Sequence, residues 1–325
     1  MTDSNPRPST HLDSRAAEAR LQSNQTSIEL TPGVLSRVKA GVNASRHPAV
    51  RQRIERALAE IGAIANGETD QRVSGWFRRW VMRRLLKTLF CIRIENRENI
   101  PQYPVILTPN HLGHIDPFLV LASVPSHPYY YILGDARTLY NKRWKRWLIG
   151  WAGGVIPLER WWKEEIAVVD AAHHEREDLQ VLATEIENHV PNGSSIQQLR
   201  QIDQAIQVIL SRGDAIMLFP EGRLGETEGE IYRPLKRGTV IYAMRAGVPI
   251  VPVALIGTQD LYLRKTLTLR FGHPLKLPQQ KRPKRPDIDD AILQLEVALQ
   301  NLLPNDYQEP NGLKLFRRWL NHLFW

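Results

Sequence analysis

The sequence predicts an α/β fold: a largely parallel or mixed sheet flanked by helices, with N-terminal helices before it and a C-terminal helical extension after it. Two observations carry this class. From Cys91 onward, short β-rich runs recur at 91–95, 104–108, 129–133, 153–158, 215–219, 250–256 and 266–271. Helical patterns at 117–123, 139–148, 196–211 and 237–246 fall between several of them, and such alternation belongs to sheets built mainly from parallel strands. A third observation bounds the size. With 325 residues and 42% apolar content, the chain is long enough to bury a substantial core.

Taken in order, residues 1–31 mix Ser, Thr, Asn, Pro and charges without periodicity, which suits a disordered tail. They lack the apolar core of a signal peptide. From Pro32 to Gly67 the pattern is helical: Val34, Val38 and Val42, then Ile54, Leu58 and Ile61, recur at helical spacing, with Pro48 as an interruption. A second helical segment runs from Arg72 to Phe90. The strand and helix runs follow. The polar stretch 161–199 reads as a helical insertion with a surface loop at Pro191-Asn192-Gly193. A basic, proline-rich linker at 278–287 leads to a helix at 288–303 and an aromatic tail.

The formal charge of +9 implies an anionic partner: nucleic acid, an acidic carrier protein or an anionic bilayer. Composition alone does not choose among them. Cys91 is the single cysteine, so neither an internal disulfide nor a cysteine-based zinc site is available, and a reducing, cytoplasm-facing location is the simple reading. The longest apolar stretches, Trp147 to Leu158 and Val248 to Gly257, fall far short of the roughly 18 residues that span a bilayer. Membrane contact is therefore expected to be peripheral or monotopic.

Residues 72–93 hold seven Arg or Lys and no Asp or Glu. On a helix, Val81, Met82, Leu85, Leu86 and Leu89 share one arc. Arg79, Arg83, Arg84 and Lys87 fall opposite, with Trp76 and Trp80 among them, as an interfacial helix requires. Similar mixtures recur at 142–147 and 314–319, and each cation near anionic lipid adds about 1 kcal/mol. The plainer alternative packs the apolar arc on a core and leaves the cations in water. No helix-turn-helix, RNA-recognition or zinc-finger signature favours nucleic acid.

The chemistry-bearing residues cluster at strand ends. Asn110-His111-Leu112-Gly113-His114-Ile115-Asp116 follows the apolar run Val105-Ile106-Leu107. Asp116-Pro117 reads as a helix start, with Asp as N-cap and Pro at the first helical position. A carboxylate fixed there can hold one imidazole nitrogen of His111 while the other acts as a base, provided the Gly113 loop folds back. A second reading takes His111, His114 and Asp116 as metal ligands of a hydrolase, and a third is a non-catalytic basic protein binding membrane or nucleic acid. Phe219-Pro220-Glu221-Gly222-Arg223 ends another strand in a turn, and Pro234-Leu235-Lys236-Arg237-Gly238 begins a helical stretch. Backbone amides and cations at one place suit a phosphate. Either segment alone is also an ordinary loop.

In order, His111-x4-Asp116, Gly154-Val155-Ile156-Pro157-Leu158-Glu159-Arg160, Phe219-Pro220-Glu221-Gly222 and Val248-Pro249-Ile250-Val251-Pro252-Val253-Ala254 resemble the glycerolipid acyltransferase family, which includes the 1-acylglycerol-3-phosphate acyltransferases. The likeness covers roughly residues 75–275. Many members carry Thr after Phe-Pro-Glu-Gly, where this chain has Arg223. The resemblance implies an O-acyltransferase domain over 91–277, preceded by helices over 32–90 and followed by the extension 278–325. It implies that His111, oriented by Asp116, deprotonates the free hydroxyl of a lysophospholipid such as 1-acylglycerol 3-phosphate. The donor would be acyl-CoA or acyl-acyl carrier protein, with no metal and no other cofactor. Arg160, Glu221, Gly222, Arg223 and Lys236 would hold the acceptor's glycerol phosphate. The partners expected are an anionic bilayer at the cytoplasmic face and the acyl donor, possibly on its carrier protein, and no nucleic acid.

Overall fold

A computed structural model describes residues 28–68, 70, 72–174, 176–193 and 195–324. The tail expected over 1–31 therefore lies, as far as residue 27, outside the described residues. The chain divides into two compact units. One runs from the first described residue to Ser45 and includes Trp161–Asn192; the other comprises Arg46–Arg160 and the chain from Gly193 onward.

The smaller unit contains α1 (Pro32–Arg46), α7 (Lys163–His174) and α8 (Gln180–His189), the last two forming the expected helical insertion. Val38, Val42, Val168, Leu182 and Ile186 make its core. The indole of Trp161 donates to the carbonyl of Val190 at 2.8 Å and closes the insertion's base.

The larger unit is built on a seven-stranded sheet. Its strands are β1 (Cys91–Glu95), β2 (Ile106–Pro109), β3 (Tyr130–Asp135), β4 (Val155–Leu158), β5 (Ala215–Leu218), β6 (Ile250–Ile256) and β7 (Thr266–Phe271). They lie in the order β1-β7-β6-β2-β5-β3-β4. From β6 to β4 every neighbouring pair is parallel, whereas β7 runs antiparallel to β6 and β1 parallel to β7. The sheet is thus mixed, as one form of the sequence expectation had it. Residues 257–265 are too few for a crossover helix, so β7 must return beside β6 in the opposite sense.

Both faces of the central strands are buried, which explains why these runs are apolar throughout rather than alternating. Leu107, Met217, Val251, Val253 and Ile132 point to one layer, where α3 (Gly75–Leu89), α4 (Asp116–Ser123) and α6 (Arg143–Ala152) pack. Ile106, Ile216, Leu218, Ile250 and Tyr131 point to the other, covered by α9 (Ile196–Ser211), α10 (Gly238–Ala246) and α11 (Arg285–Leu302). The helix α2 (Pro48–Ala65) begins at the expected proline and contributes to both layers, Ile54 to the first and Ile64 to the second. The last helix, α12 (Arg317–Phe324), buries Leu320 and Phe324 against the first layer.

Three local expectations differ in detail. The single helix read over 139–148 is two, α5 (Ala136–Tyr140) and α6. Asp135 starts the first by accepting the amide of Thr138 at 3.0 Å. The helix α4 begins at Asp116 itself rather than after it, and its carboxylate is not spent on a cap. In α3 the buried face is Arg78, Met82 and Leu86, while Leu85 is 50% exposed. Arg78 replaces Leu85 there because the Tyr129 ring lies 3.7 Å from its guanidinium and Tyr130 supplies a carbonyl at 2.9 Å.

Candidate active site

The parallel strands β2, β5 and β4 all deliver chemistry-bearing residues just past their C-terminal ends, the usual place for a site in such sheets. After β2, Asn110 is fully buried and its amide is bound at both ends by one residue of β6. It donates to the Leu255 carbonyl at 3.1 Å and accepts the Leu255 amide at 2.6 Å. This clamp fixes where the next residue, His111, leaves the sheet. Sequence reasoning did not single out Asn110. A polar residue directly after an apolar strand and before a candidate base is the signal that could have found it.

The loop then folds back on itself. His111 Nδ1 lies 2.9 Å from Asp116 Oδ2, and the same oxygen accepts the amides of Leu112 at 2.8 Å and Gly113 at 2.9 Å. Asp116 is fully buried. Its carboxylate thus organises the entire turn that presents the imidazole, and with the proton on Nδ1 the second ring nitrogen is left to act as a base. Phe219 stacks on the His111 ring, centroids 3.9 Å apart and 22° from parallel, which limits rotation of the imidazole. The His111 side chain keeps 16% exposure.

Gly113 has a steric reason to be glycine. A Cβ there would sit 2.8 Å from the backbone oxygen of Thr258. Gly113→Ala is therefore expected to displace the turn by a few tenths of an ångström and lower turnover about 10- to 100-fold, since small misplacements of reacting groups are costly. Steady-state rates measured beside a thermal melt that stays cooperative would check this.

Glu221, after β5, is 1% exposed and both its oxygens face backbone donors: the amide of His111 at 2.8 Å and that of Tyr232 at 2.6 Å. The carbonyl of His111 in turn accepts the amide of Gly225 at 2.6 Å. The two motif loops are tied together through the backbone of the candidate base. Burial pushes the Glu221 carboxyl up to about 7, against the lowering effect of those two amides and of His111, with Asp116 adding to the rise. A carboxyl raised in the fold favours the protonated form, so its contribution to stability is fully present below the ordinary carboxylate value. It is lost as pH rises through about 7. Between about pH 4.5 and 7 the wild type should lose stability relative to Glu221→Gln, by on the order of a few kcal/mol in total. Melting temperatures of both proteins across that range would show the gap, and parallel curves would refute it.

Burial, with Lys145 next in effect, holds His114 well below the ordinary imidazole value, so it is neutral near pH 7. Its ring centroid is 6.5 Å from that of His111, nearly perpendicular to it. Among the described residues no group of three or more His, Cys, Asp or Glu side chains is arranged to hold a metal ion.

Arg160, after β4, reaches the Phe-Pro-Glu-Gly turn and donates to the Gly222 carbonyl at 2.9 Å. Its neighbour Glu159 pairs with Arg51 at 2.6 Å and so does not take up the Arg160 charge. Buried Arg137 donates to the Arg160 carbonyl at 2.9 Å and fixes the backbone there. Gly222 adopts φ +68°, and a Cβ on it would meet Lys236 Cε at 2.8 Å and Arg160 Nη2 at 3.2 Å. The Lys236 stem and the Arg160 guanidinium therefore lie close over a bare glycine, an arrangement that can receive an anion. Lys236 is held there because its amide donates to the Pro220 carbonyl at 2.7 Å. Arg223 turns elsewhere, to Glu226 at 2.9 Å and over the Tyr232 ring at 4.3 Å.

Residues 91–256, half of the chain, match the family model described as Acyltransferase. The chain is 24% identical over 176 residues to the probable 1-acyl-sn-glycerol-3-phosphate acyltransferase of Mycoplasma pneumoniae, covering 51% of this chain and 49% of that protein. It is 23% identical over 190 residues to the 1-acyl-sn-glycerol-3-phosphate acyltransferase alpha of Ovis aries, covering 58% and 53%. The chain thus spans about half the length of the curated relatives it matches. Among solved structures it is similar to the 1-acyl-sn-glycerophosphate (LPA) acyltransferase PlsC of Thermotoga maritima, with 16% identity and a TM-score of 0.42, over 71% of this chain and 83% of that one.

Proposed function

The chain belongs to the Acyltransferase family, and on that premise we propose that it transfers a fatty acyl group from a thioester to the free hydroxyl of 1-acylglycerol 3-phosphate or a related lysophospholipid. The observation that carries this reading is the 2.9 Å contact between His111 Nδ1 and Asp116 Oδ2. The free imidazole nitrogen takes the acceptor's hydroxyl proton, and the oxygen attacks the thioester carbonyl. The tetrahedral adduct collapses with loss of the thiolate, which recovers the proton from the imidazolium. Asp116 stabilises that imidazolium while it exists. No acyl-enzyme is required, since a thioester is already activated.

The acceptor's phosphate lies over Gly222, between Arg160 and Lys236, where a fork-shaped guanidinium and a point charge meet. Glu221 holds the His111 loop by its two backbone contacts and so acts on the acceptor through that loop. Arg223, paired with Glu226, sits at the margin of the site. Acyl-CoA and acyl-acyl carrier protein are both anionic and both suit a chain of net charge +9. Neither a metal nor a further cofactor enters these steps. The acceptor reaches the site from an anionic bilayer at the cytoplasmic face, on which the basic face of α3 rests. Trp76, Arg79, Trp80, Arg83, Arg84 and Lys87 line an open cavity of about 550 Å³ along that helix. No helix among the described residues is long and apolar enough to cross a membrane.

The test is acyl transfer by the purified chain with both donor types and a panel of lysolipids. Phosphatidic acid formed from 1-acylglycerol 3-phosphate is the expected product. Absence of transfer with every acceptor and donor would sink the reading.

A further inference from the structure

The C-terminal segment lies beyond the part of the chain that matches the family, yet it is firmly built into the larger unit. Asp260 accepts from Lys314 at 3.2 Å, Arg317 at 2.8 Å and Asn321 at 3.1 Å. Asn321 also accepts the Leu261 amide and donates to the Leu261 carbonyl, both at 3.0 Å. One face of α12 is accounted for, with Leu320 and Phe324 buried. Three further apolar side chains of the segment are exposed: Leu315 and Phe316, just before α12, are 55% and 63% accessible, and Trp319, within it, 55%. Phe316 takes φ +56°, a conformation that disfavours bulky side chains. That strain holds an exposed ring, and burial within the chain does not offset it.

The segment is continuous with α3 and α6. Phe324 packs on Phe90, at the end of α3, with centroids 6.3 Å apart, and on Trp144 of α6 at 5.6 Å. At the other end of α3, Phe77 packs edge-on against Trp151 of α6 at 5.5 Å. The Leu315 carbonyl accepts the Leu263 amide, and the next amide, that of Arg264, donates to the Leu89 carbonyl, so the segment meets the end of α3. Trp76 on α3 and Trp147 on α6 are 63% and 68% exposed. None of α3, α6 or residues 311–324 contains an acidic residue, and Arg84, Lys87, Arg143 and Arg318 are exposed.

We propose that residues 313–319, α3 and the exposed edge of α6 form one lipid-facing surface, so that an anionic bilayer is held by three elements distant in sequence. The lack of acidic residues within these segments, with Asp260 engaged by Lys314 and Arg317, and the four exposed cations select the anionic bilayer as occupant over a second, equally basic copy of the chain. The inference rests on the reading of the chain as an enzyme of a lipid substrate.

The test uses the full chain, with vesicles of phosphatidylcholine alone or mixed with phosphatidylglycerol. The double variant F316E/W319E is compared with wild type and with L293E/V297E, two exposed positions on α11 that are 59% and 52% accessible. Wild type and the α11 variant should co-sediment with the anionic vesicles. F316E/W319E should bind them at least about 10-fold more weakly, while its transfer rate on monomeric short-chain substrates stays at the wild-type level. Equal vesicle binding by all three would overturn the proposal without touching the acyltransferase reading, which the soluble assay tests separately. A lipid-free dimer that F316E/W319E converts to monomer would also overturn it, assigning the surface to self-association.

Discussion

His111→Ala is expected to abolish measurable acyl transfer while leaving the fold and substrate binding intact. General-base catalysis by an aligned imidazole contributes about 10²–10⁴-fold, and the turn's other imidazole, His114, has its ring centroid 6.5 Å away and lies nearly perpendicular. Asp116 is engaged by three donors, and Glu221 by two backbone amides. The deficit should appear in kcat with KM nearly unchanged, because the ring acts on the transition state and not on the bound acceptor. Since the His111 side chain donates to Asp116, truncation leaves one buried carboxylate oxygen still served by the amides of Leu112 and Gly113. The melting temperature should therefore move by only a few degrees. A variant that retains wild-type kcat would remove His111 from the chemistry.

The sheet was legible because its central strands are buried on both faces. Continuous apolar runs such as Ala215–Leu218 and Ile250–Ile256 are hard to mistake, and turn residues bound them. The break between α5 and α6 was not legible, because the apolar spacing across Leu139, Tyr140, Trp144 and Leu148 continues through it. The break falls at Lys142, whose extended backbone (φ −103°, ψ 146°) starts α6 without a side-chain cap, and the Asp135 hydrogen bond marks only where α5 begins. The burial of Arg78 was hidden for a similar reason. A single guanidinium in a basic helix carries no mark that the Tyr129 ring and the Tyr130 carbonyl await it from another element.

The site divides along the same line. The pairing of His111 with Asp116 follows from a short loop that contains glycine and precedes a helix start, so five residues of separation close to 2.9 Å. The convergence of Arg160 and Lys236 on Gly222 needed an ordered set of motifs, because the three positions come from separate stretches of chain. What sequence could not supply is the backbone wiring. Glu221 reads as a candidate ligand because it is a carboxylate in a conspicuous turn, yet both its oxygens meet main-chain amides, one from each of two loops. Backbone donors leave no trace in residue identity.

Arg160→Ala should raise KM for phosphorylated acceptors by about 10- to 100-fold, the effect expected when a charge-assisted hydrogen bond of about 1.5–3 kcal/mol is lost. The side chain already reaches the Gly222 carbonyl, so its position does not depend on the ligand, and Arg137 braces its backbone from behind. Lys236 remains in the variant and should hold part of the affinity, whereas Arg160→Lys should recover only a fraction, since an ammonium cannot grip two phosphate oxygens in a fork. The discriminating control is an acceptor that has the same acyl chain and free hydroxyl but no phosphate. Wild type should use it poorly, and Arg160→Ala should use it no worse than wild type does. KM for the thioester donor should also stay within about 2-fold of wild type, well under the 1.4 kcal/mol that a tenfold change represents. Equal losses for donor and acceptor would move Arg160 out of the phosphate site and leave Lys236 alone there, with the bare face of Gly222 requiring another explanation.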